Sequence, residues 1–133
     1  MGNIFTIKTN NITVSAQPEY MEYESSPVDG QYVWVYHIKI HNNGKGAVQL
    51  MNRYWHITDG KGVVQEVRGP GVVGLQPTIM PDEHFEYTSS VSLSTPTGLM
   101  HGTYEIRTAD ERLLLIPIPV FSLDSTEAIK YAN

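Results

Sequence analysis

The sequence predicts an all-β protein, an antiparallel sandwich of about seven to nine short strands with little or no helix. Apolar and polar residues alternate with the period of two that is typical of half-buried strands, most clearly at residues 32–41. Clusters of Gly, Pro, Asn and Asp interrupt these runs at short intervals. Many short strands separated by regular turns indicate a sandwich, with a barrel as the alternative.

The N-terminal part is predicted to be a single strand. Ile12, Val14 and Ala16 alternate with polar residues in a β-branched stretch that begins near Ile4, and Pro18 is expected to end the strand. Residues 19–29 are acidic and finish in turn-forming residues.

The strongest strand signal is residues 32–41, where one face carries an apolar ladder that we expect in the core. The ladder consists of Tyr32, Trp34, Tyr36, Ile38 and Ile40. Residues 42–46 (NNGKG) indicate a hairpin turn into the next strand, and residues 59–62 (DGKG) indicate a second turn. The remaining strands are predicted at residues 47–50, 52–58, 63–67, 84–89, 102–108 and 113–123.

Two features mark the C-terminal end. Pro117 and Pro119 lie two residues apart, so both missing N–H groups can face one unpaired side, which predicts an edge strand. Asp124 followed by Glu127 resembles a capping box and predicts one helical turn in the tail.

Length and composition favour one domain spanning residues 1–133, with a core of about residues 4–123 and a short tail at 124–133. The formal net charge of −5 argues against binding to nucleic acid or to an anionic membrane. The chain contains no cysteine, which excludes disulfides and thiolate chemistry. No signal peptide or membrane-length apolar run is found, so we expect a cytoplasmic protein.

The densest glycine cluster is at residues 67–77, where Gly69, Gly71 and Gly74 spell G-x-G-x-x-G. In dinucleotide-binding folds this pattern opens a helix, but Pro77 and Pro81 follow too closely for one. Two interpretations remain. The loop is either a structural connection or a nest of free N–H groups that holds a small anion.

Two arginines, Arg53 and Arg68, are of most interest. Arg68 comes directly before this loop, and a guanidinium beside free amides suits a phosphate. The candidate ligand-binding residues are therefore Arg68, Gly69, Gly71, Val72 and Gly74. The alternative for Arg68 is a surface side chain whose stem covers a Tyr or Trp.

No catalytic signature is present, and neither a nucleophile elbow nor a zinc-protease motif is found. The five histidines are scattered without metal-ligand spacing. We therefore predict no catalytic residues, no metal site, no cofactor and no enzymatic activity.

Six segments resemble the ApaG family in order and spacing, over residues of about 14–123. They are VQL at 48–50, RYWHI at 53–57, GPGVVGLQP at 69–77, YTS at 87–89, TPTGLMHGTY at 95–104 and IPVF at 118–121. The family's usual Pro-Gly-Glu is Pro-Asp-Glu at residues 81–83. Asp tolerates left-handed geometry, so we expect that turn to form.

The resemblance implies a fibronectin type III-like sandwich. It also implies a small protein of unsettled role, loosely linked to dinucleoside polyphosphate metabolism and cobalt resistance. A similar domain in eukaryotic proteins looks like a protein-interaction module. Our first hypothesis is therefore a non-enzymatic module that binds another protein, with a homodimer through an edge strand as a further possibility. The second is binding of pyrophosphate or a nucleotide polyphosphate at residues 68–74.

Overall fold

The computed structural model describes residues 3–126, and these residues form nine strands in two antiparallel sheets. The predicted all-β sandwich is confirmed, and the barrel alternative is wrong. No helix among these residues is long and apolar enough to cross a membrane. The strands are β1 (Phe5–Thr9), β2 (Ile12–Tyr20), β3 (Tyr32–Asn42), β4 (Val48–Asp59), β5 (Val64–Pro70), β6 (Thr78–Ile79), β7 (His84–Leu93), β8 (Thr97–Thr108) and β9 (Leu113–Asp124).

The sheet order is that of a fibronectin type III-like sandwich. The first sheet runs β1-β2-β3-β7, and the second runs β5-β4-β8-β9, with β6 pairing to the start of β4. β9 is an edge strand, as Pro117 and Pro119 predicted. It packs across the sandwich against β1 and β2. The opposite side of the sandwich lies between the edge strands β5 and β7.

The core forms where the inner faces of the two sheets meet. The predicted ladder of β3 is confirmed, because Trp34, Tyr36, Ile38 and Ile40 are all buried. Trp55 of β4 meets Tyr36 edge to face, with ring centroids 5.2 Å apart. Burial of each such large side chain contributes about 1.5–3 kcal/mol to folding, so these cross-sheet contacts fix how the sheets stack.

The prediction of one N-terminal strand ended by Pro18 is wrong. Asn10 and Asn11 adopt positive φ angles of 50° and 63°, which makes the tight turn of a hairpin between β1 and β2. Pro18 lies inside β2, opposite Tyr36. β1 pairs with β2 only as far as Ala16, so the missing N–H of Pro18 faces an unpaired side and costs no ladder bond.

The predicted hairpin at residues 42–46 is also wrong, because β3 and β4 belong to different sheets. The segment crosses between the sheets and is organised by Asn42, which is buried. The Asn42 side chain donates to the carbonyls of Gly46 and Ile79, both at 2.9 Å, and accepts from the Gly44 N–H. Because the buried Asn42 side chain needs these hydrogen-bond partners, the segment between the sheets is held in one conformation.

Other predicted turns are confirmed. The Asp59 carboxylate accepts from the N–H groups of Lys61 and Val63 and shapes the β4–β5 hairpin. Asp82 adopts a φ of 67°, as expected for the turn before β7. The predicted C-terminal turn includes Glu127 and therefore lies outside the described residues.

Gly102 of β8 gives a test of how closely β4 and β8 pack. A Cβ at this position would lie 1.9 Å from the Tyr54 carbonyl oxygen. We expect Gly102→Ala to lower the free energy of unfolding by about 2 kcal/mol or more, because backbone must move to remove the clash. Urea denaturation followed by tryptophan fluorescence measures this change.

Gly46→Ala is the matched control. Its Cβ would meet only the Ala109 Cβ, at an ordinary 3.4 Å. We expect a change within about 0.5 kcal/mol for this variant. Equal unfolding midpoints for the two variants would contradict the close approach of β4 and β8.

Candidate functional site

The glycine-rich loop closes as a tight turn after β5. The Val72 N–H donates to the Leu75 carbonyl at 2.8 Å, and the Leu75 N–H donates back at 2.9 Å. Val73 and Gly74 at the tip have φ angles of 44° and 80°. Two consecutive positive φ angles are the geometry of a type I′ turn. As predicted, no dinucleotide-type helix follows, because the chain continues into β6.

Two of the candidate amides in this loop already donate hydrogen bonds within the chain. The Gly71 N–H donates to the Met51 carbonyl at 2.8 Å, and the Val72 N–H is used in the turn. The Val72 side chain is fully buried. Instead, the loop presents carbonyl oxygens: those of Pro70 and Gly71 accept hydrogen bonds from Arg53. The loop therefore binds a cation of its own chain.

Arg68 lies apart from the loop tip and packs on Tyr54. Its guanidinium carbon is 4.2 Å from the centroid of the Tyr54 ring, a cation–π contact. The Tyr54 hydroxyl in turn donates to Glu66 at 2.6 Å. Arg68 therefore contacts a tyrosine, as the alternative interpretation expected, although through its guanidinium and not through its stem.

Arg53 is the arginine that the fold places between the sheets. In β4 it shares a face with Trp55 and Ile57, both buried, while Tyr54 and His56 occupy the outer face. Its Nη1 donates to the carbonyls of Pro70 at 3.1 Å and Gly71 at 2.9 Å.

Gly69 makes room for the Arg53 guanidinium. Gly69 is the β5 residue opposite Arg53, and a Cβ there would lie 3.1 Å from Nη1 and 3.3 Å from Nη2. A side chain at this position would crowd the cation. This candidate glycine therefore has a packing role that the sequence did not indicate.

Two cavities open beside Arg53 on the β5–β7 side of the sandwich. One, of about 190 Å³, reaches the glycine-loop tip. The other, of about 300 Å³, extends between β5 and β7. Both are lined by Tyr36, Arg53, Trp55 and Ser89. None of the described residues that line them is acidic, so Arg53 has no carboxylate partner there. We call this pair of cavities the Arg53 cleft.

Three buried tyrosines surround the inner end of the cleft. Burial raises the pKa of Tyr36, Tyr87 and Tyr104, and the positive charge of Arg53 opposes part of each shift. The hydroxyls of Tyr87 and Tyr104 hydrogen-bond to each other across the sandwich. A hydrogen bond with Ser89 lowers the pKa of Tyr36 in part. These phenols are neutral donors at physiological pH.

A separate polar patch covers the outer face of the first sheet. Glu86 accepts from His37 at 3.1 Å and lies 3.3 Å from His84. The hydrogen bond from His37 lowers the pKa of the Glu86 carboxyl, and the charge of His84 adds to this shift. Within residues 3–126, no three His, Asp or Glu side chains are grouped to hold a metal ion.

Comparison with known proteins places this fold and loop in a family. The model of the ApaG domain matches residues 22–108. The chain belongs to the ApaG family. It is 48% identical over 125 residues to Protein ApaG of Parvibaculum lavamentivorans, with 94% of this chain and 96% of that one covered. Protein ApaG of Rhodospirillum centenum is 50% identical over 117 residues, covering 88% and 90% of the two chains.

The ApaG-type fold is also found in crystal structures. That of a protein named ApaA from Bordetella pertussis matches with a TM-score of 0.85 and 45% identity. The match covers 86% of this chain and 94% of that chain. The predicted ApaG resemblance is therefore confirmed, and so is the sandwich that it implied.

The sequence already indicates that Arg53 faces the core, but the predicted site did not use this observation. Arg53, Trp55 and Ile57 alternate within one strand, so the two core residues already place the arginine on the inner face. The choice of Arg68 rested on its adjacency to the glycines. Side-chain alternation decides which arginine faces the interior, and it favours Arg53.

The raised tyrosine pKa values predict a loss of stability in alkali. The unfolded pKa is about 10, and the folded pKa of Tyr36, Tyr87 and Tyr104 is higher, so the folded state keeps protons that the unfolded state loses. The stabilisation is fully present below pH of about 10 and is lost as the pH rises further. Urea midpoints measured from about pH 8 to about pH 11 test this.

The double variant Tyr87→Phe, Tyr104→Phe is the control for this pH dependence. It removes both hydroxyls of one hydrogen bond, so neither is left unsatisfied. Above pH of about 10, we expect its free energy of unfolding to fall less steeply with pH than that of the wild type. The difference is up to about 1.4 kcal/mol per pH unit for each group removed. An unchanged slope would show that other groups cause the alkaline loss.

Proposed function

We propose that this ApaG-family protein is a non-enzymatic module that binds another protein by accepting an extended segment along the edge of β7. One observation carries the proposal. β7 is an edge strand of ten residues that pairs with β3 in unbroken register from His84 to Leu93. It contains no proline, lysine or arginine. A long, flat edge without these residues is a template for strand pairing.

The other three edges are protected. β9 carries Pro117 and Pro119, and β1 has only five residues with Lys8 among them. β5 ends at Pro70 and has the charged residues Glu66 and Arg68 on its outer face. Proteins use such devices against unwanted pairing. β7 has a carboxylate, Glu86, near its start, but residues 87–93 contain neither a proline nor a charged side chain, and this part of the edge is the one we assign to a partner.

The residues along β7 indicate the chemistry of the partner segment. Thr88, Ser90 and Ser92 are exposed on the outer face and offer hydroxyl groups. Val91 and Ser89 line the Arg53 cleft on the inner face. Main-chain hydrogen bonds would give affinity and alternate side chains specificity, as in strand addition generally.

The same cleft supports a binding role over catalysis. None of the described residues that line it is a histidine or a carboxylate. General acid–base catalysis most often uses a histidine or a carboxylate. We propose a cytoplasmic location, with which the cysteine-free sequence is compatible.

Ser90→Lys tests the β7 edge. A lysine on the exposed face of an edge strand opposes pairing, so we expect at least about a tenfold loss of partner affinity with an unchanged unfolding midpoint. The partner is first identified with a photo-crosslinking residue at position 90. Its affinity for the purified protein is then measured by calorimetry.

Val120→Lys is the matched control, because Val120 is exposed on β9 beside Pro119. It should keep the affinity of the wild type. Equal losses in both variants, or crosslinks that favour position 120, would contradict the β7 proposal. A concentration-dependent dimer that Ser90→Lys abolishes would make a second copy of this chain the occupant.

The second hypothesis, a phosphoanion held by residues 68–74, has less geometric support. The amides of Gly71 and Val72 already donate within the chain, and Arg68 contacts Tyr54. A pyrophosphate titration followed by amide NMR tests it. Saturating shifts confined to the amides of Gly69, Gly71 and Gly74 would favour this loop.

A further inference from the structure

We propose that the Arg53 cleft binds a small phosphoanion, inorganic phosphate or pyrophosphate, through the guanidinium of Arg53. This site is distinct from the glycine-loop amides and does not depend on strand addition at β7. Three features of the cleft carry the proposal: the orientation of the guanidinium, the lack of an acidic partner, and the hydroxyl groups of the walls.

The guanidinium is held in a fixed orientation. Both hydrogen bonds that the structure gives to Arg53 come from Nη1, which donates to the Pro70 and Gly71 carbonyls. Gly69 leaves the space beside it free. The edge formed by Nε and Nη2 is then the one that can donate outward. Such an edge matches two oxygens of a phosphate group.

The charge of Arg53 has no acidic partner within the Arg53 cleft. Glu105 lines a separate cavity that Arg53 also borders, and its carboxylate accepts from Asn52. No described residue that lines either cavity of the cleft is acidic. The ion pairs found within residues 3–126 involve Glu86 and Asp110, not Arg53. This is notable in a chain with a net charge of −5. Partly burying an unpaired cation is unfavourable, and a bound anion relieves that cost.

The walls of the cleft supply further hydrogen-bond donors. Tyr36 and Ser89 line both cavities, and both carry hydroxyl groups. Ser90 and Ser92 also border the larger cavity, but they lie on the outer face of β7. Because burial raises the pKa of Tyr36, its hydroxyl stays protonated and available to donate. Phosphate oxygens accept from hydroxyls and from guanidinium alike.

The volumes suit a small anion. The smaller cavity, about 190 Å³, has room for about six water molecules at about 30 Å³ each. It therefore accommodates one phosphate group. The adjoining cavity of about 300 Å³ shares Arg53 and Ser89, so a second phosphate group of pyrophosphate can extend toward β7.

The test is a titration of ¹⁵N-labelled protein with phosphate and pyrophosphate at constant ionic strength. The Nε–Hε signals of Arg53 and Arg68 are followed together with the backbone amides. We expect saturating shifts of the Arg53 signal and of the Ser89 and Ser90 amides, with the Arg68 signal unchanged. Acetate in a parallel titration shows whether any carboxylate suffices or whether a phosphate group is required.

Two variants of Arg53 distinguish the effect of its positive charge from the effect of its paired hydrogen-bond donors. Arg53→Lys keeps the charge but loses the paired donors, and we expect about tenfold weaker binding. Arg53→Gln should abolish saturation. Arg68→Gln is the matched control and should bind as the wild type does. If either Arg53 variant fails to fold, the Nε–Hε signal of Arg53 in the wild-type titration tests the proposal by itself.

Two results would overturn the proposal. One is an Arg53 signal that stays flat up to about 10 mM pyrophosphate, a concentration at which even weak specific sites fill. The other is a set of shifts confined to the Gly69–Gly74 amides and the Arg68 signal, which would assign the anion to the loop. Equal shifts with acetate would reassign the cleft to carboxylates.

Discussion

The placement of one cation, Arg53, between two apolar sheets constrains much of this structure. A guanidinium that loses water without gaining acceptors costs several kcal/mol. Two backbone carbonyls of the glycine-rich loop accept from Arg53, and Gly69 leaves the necessary space. Complete closure of β5 onto β7 would leave the other edge of the guanidinium without acceptors, and the sandwich is open at this point, where both cavities lie.

Sequence patterns predicted the strands well but not their partners. Alternation at residues 32–41 identified β3 and its buried face, because burial of one face acts on each residue locally. The NNGKG segment showed only that the chain turns. Whether it turns within a sheet or between sheets depends on Asn42, whose amide reaches the carbonyl of Ile79, a residue 37 positions away. No local pattern encodes such a contact. The β1–β2 turn differs, since Asn10-Asn11 was a readable signal that the β-branched pattern on either side of it obscured.

The glycine-rich loop was proposed as a binding site because of its glycines, but the structure gives two of these residues other roles. Glycines were interpreted as exposing amides, yet Gly69 leaves room for the Arg53 guanidinium. Gly71 has a φ of 61° and no space for a Cβ, which would lie 2.0 Å from the Leu75 carbonyl oxygen. Composition cannot distinguish these uses, because both require the same residue. The inward orientation of Arg53 could have been predicted, since it alternates with the core residues Trp55 and Ile57. The carbonyls that hold it depend on how the loop folds back across β4, which only the three-dimensional structure shows.

The two proposed binding surfaces share residues and are therefore coupled. Ser89 and Ser90 belong to the β7 edge and also line the Arg53 cleft. A strand added to β7 lies across the mouth of that cleft, so an anion bound there changes the surface that the strand meets. If an anion strengthens strand binding by some factor, the strand must strengthen anion binding by the same factor, because the coupling free energy is common to both. A module of this construction needs no catalytic group to respond to a small phosphoanion, since the response lies in the affinity for its partner.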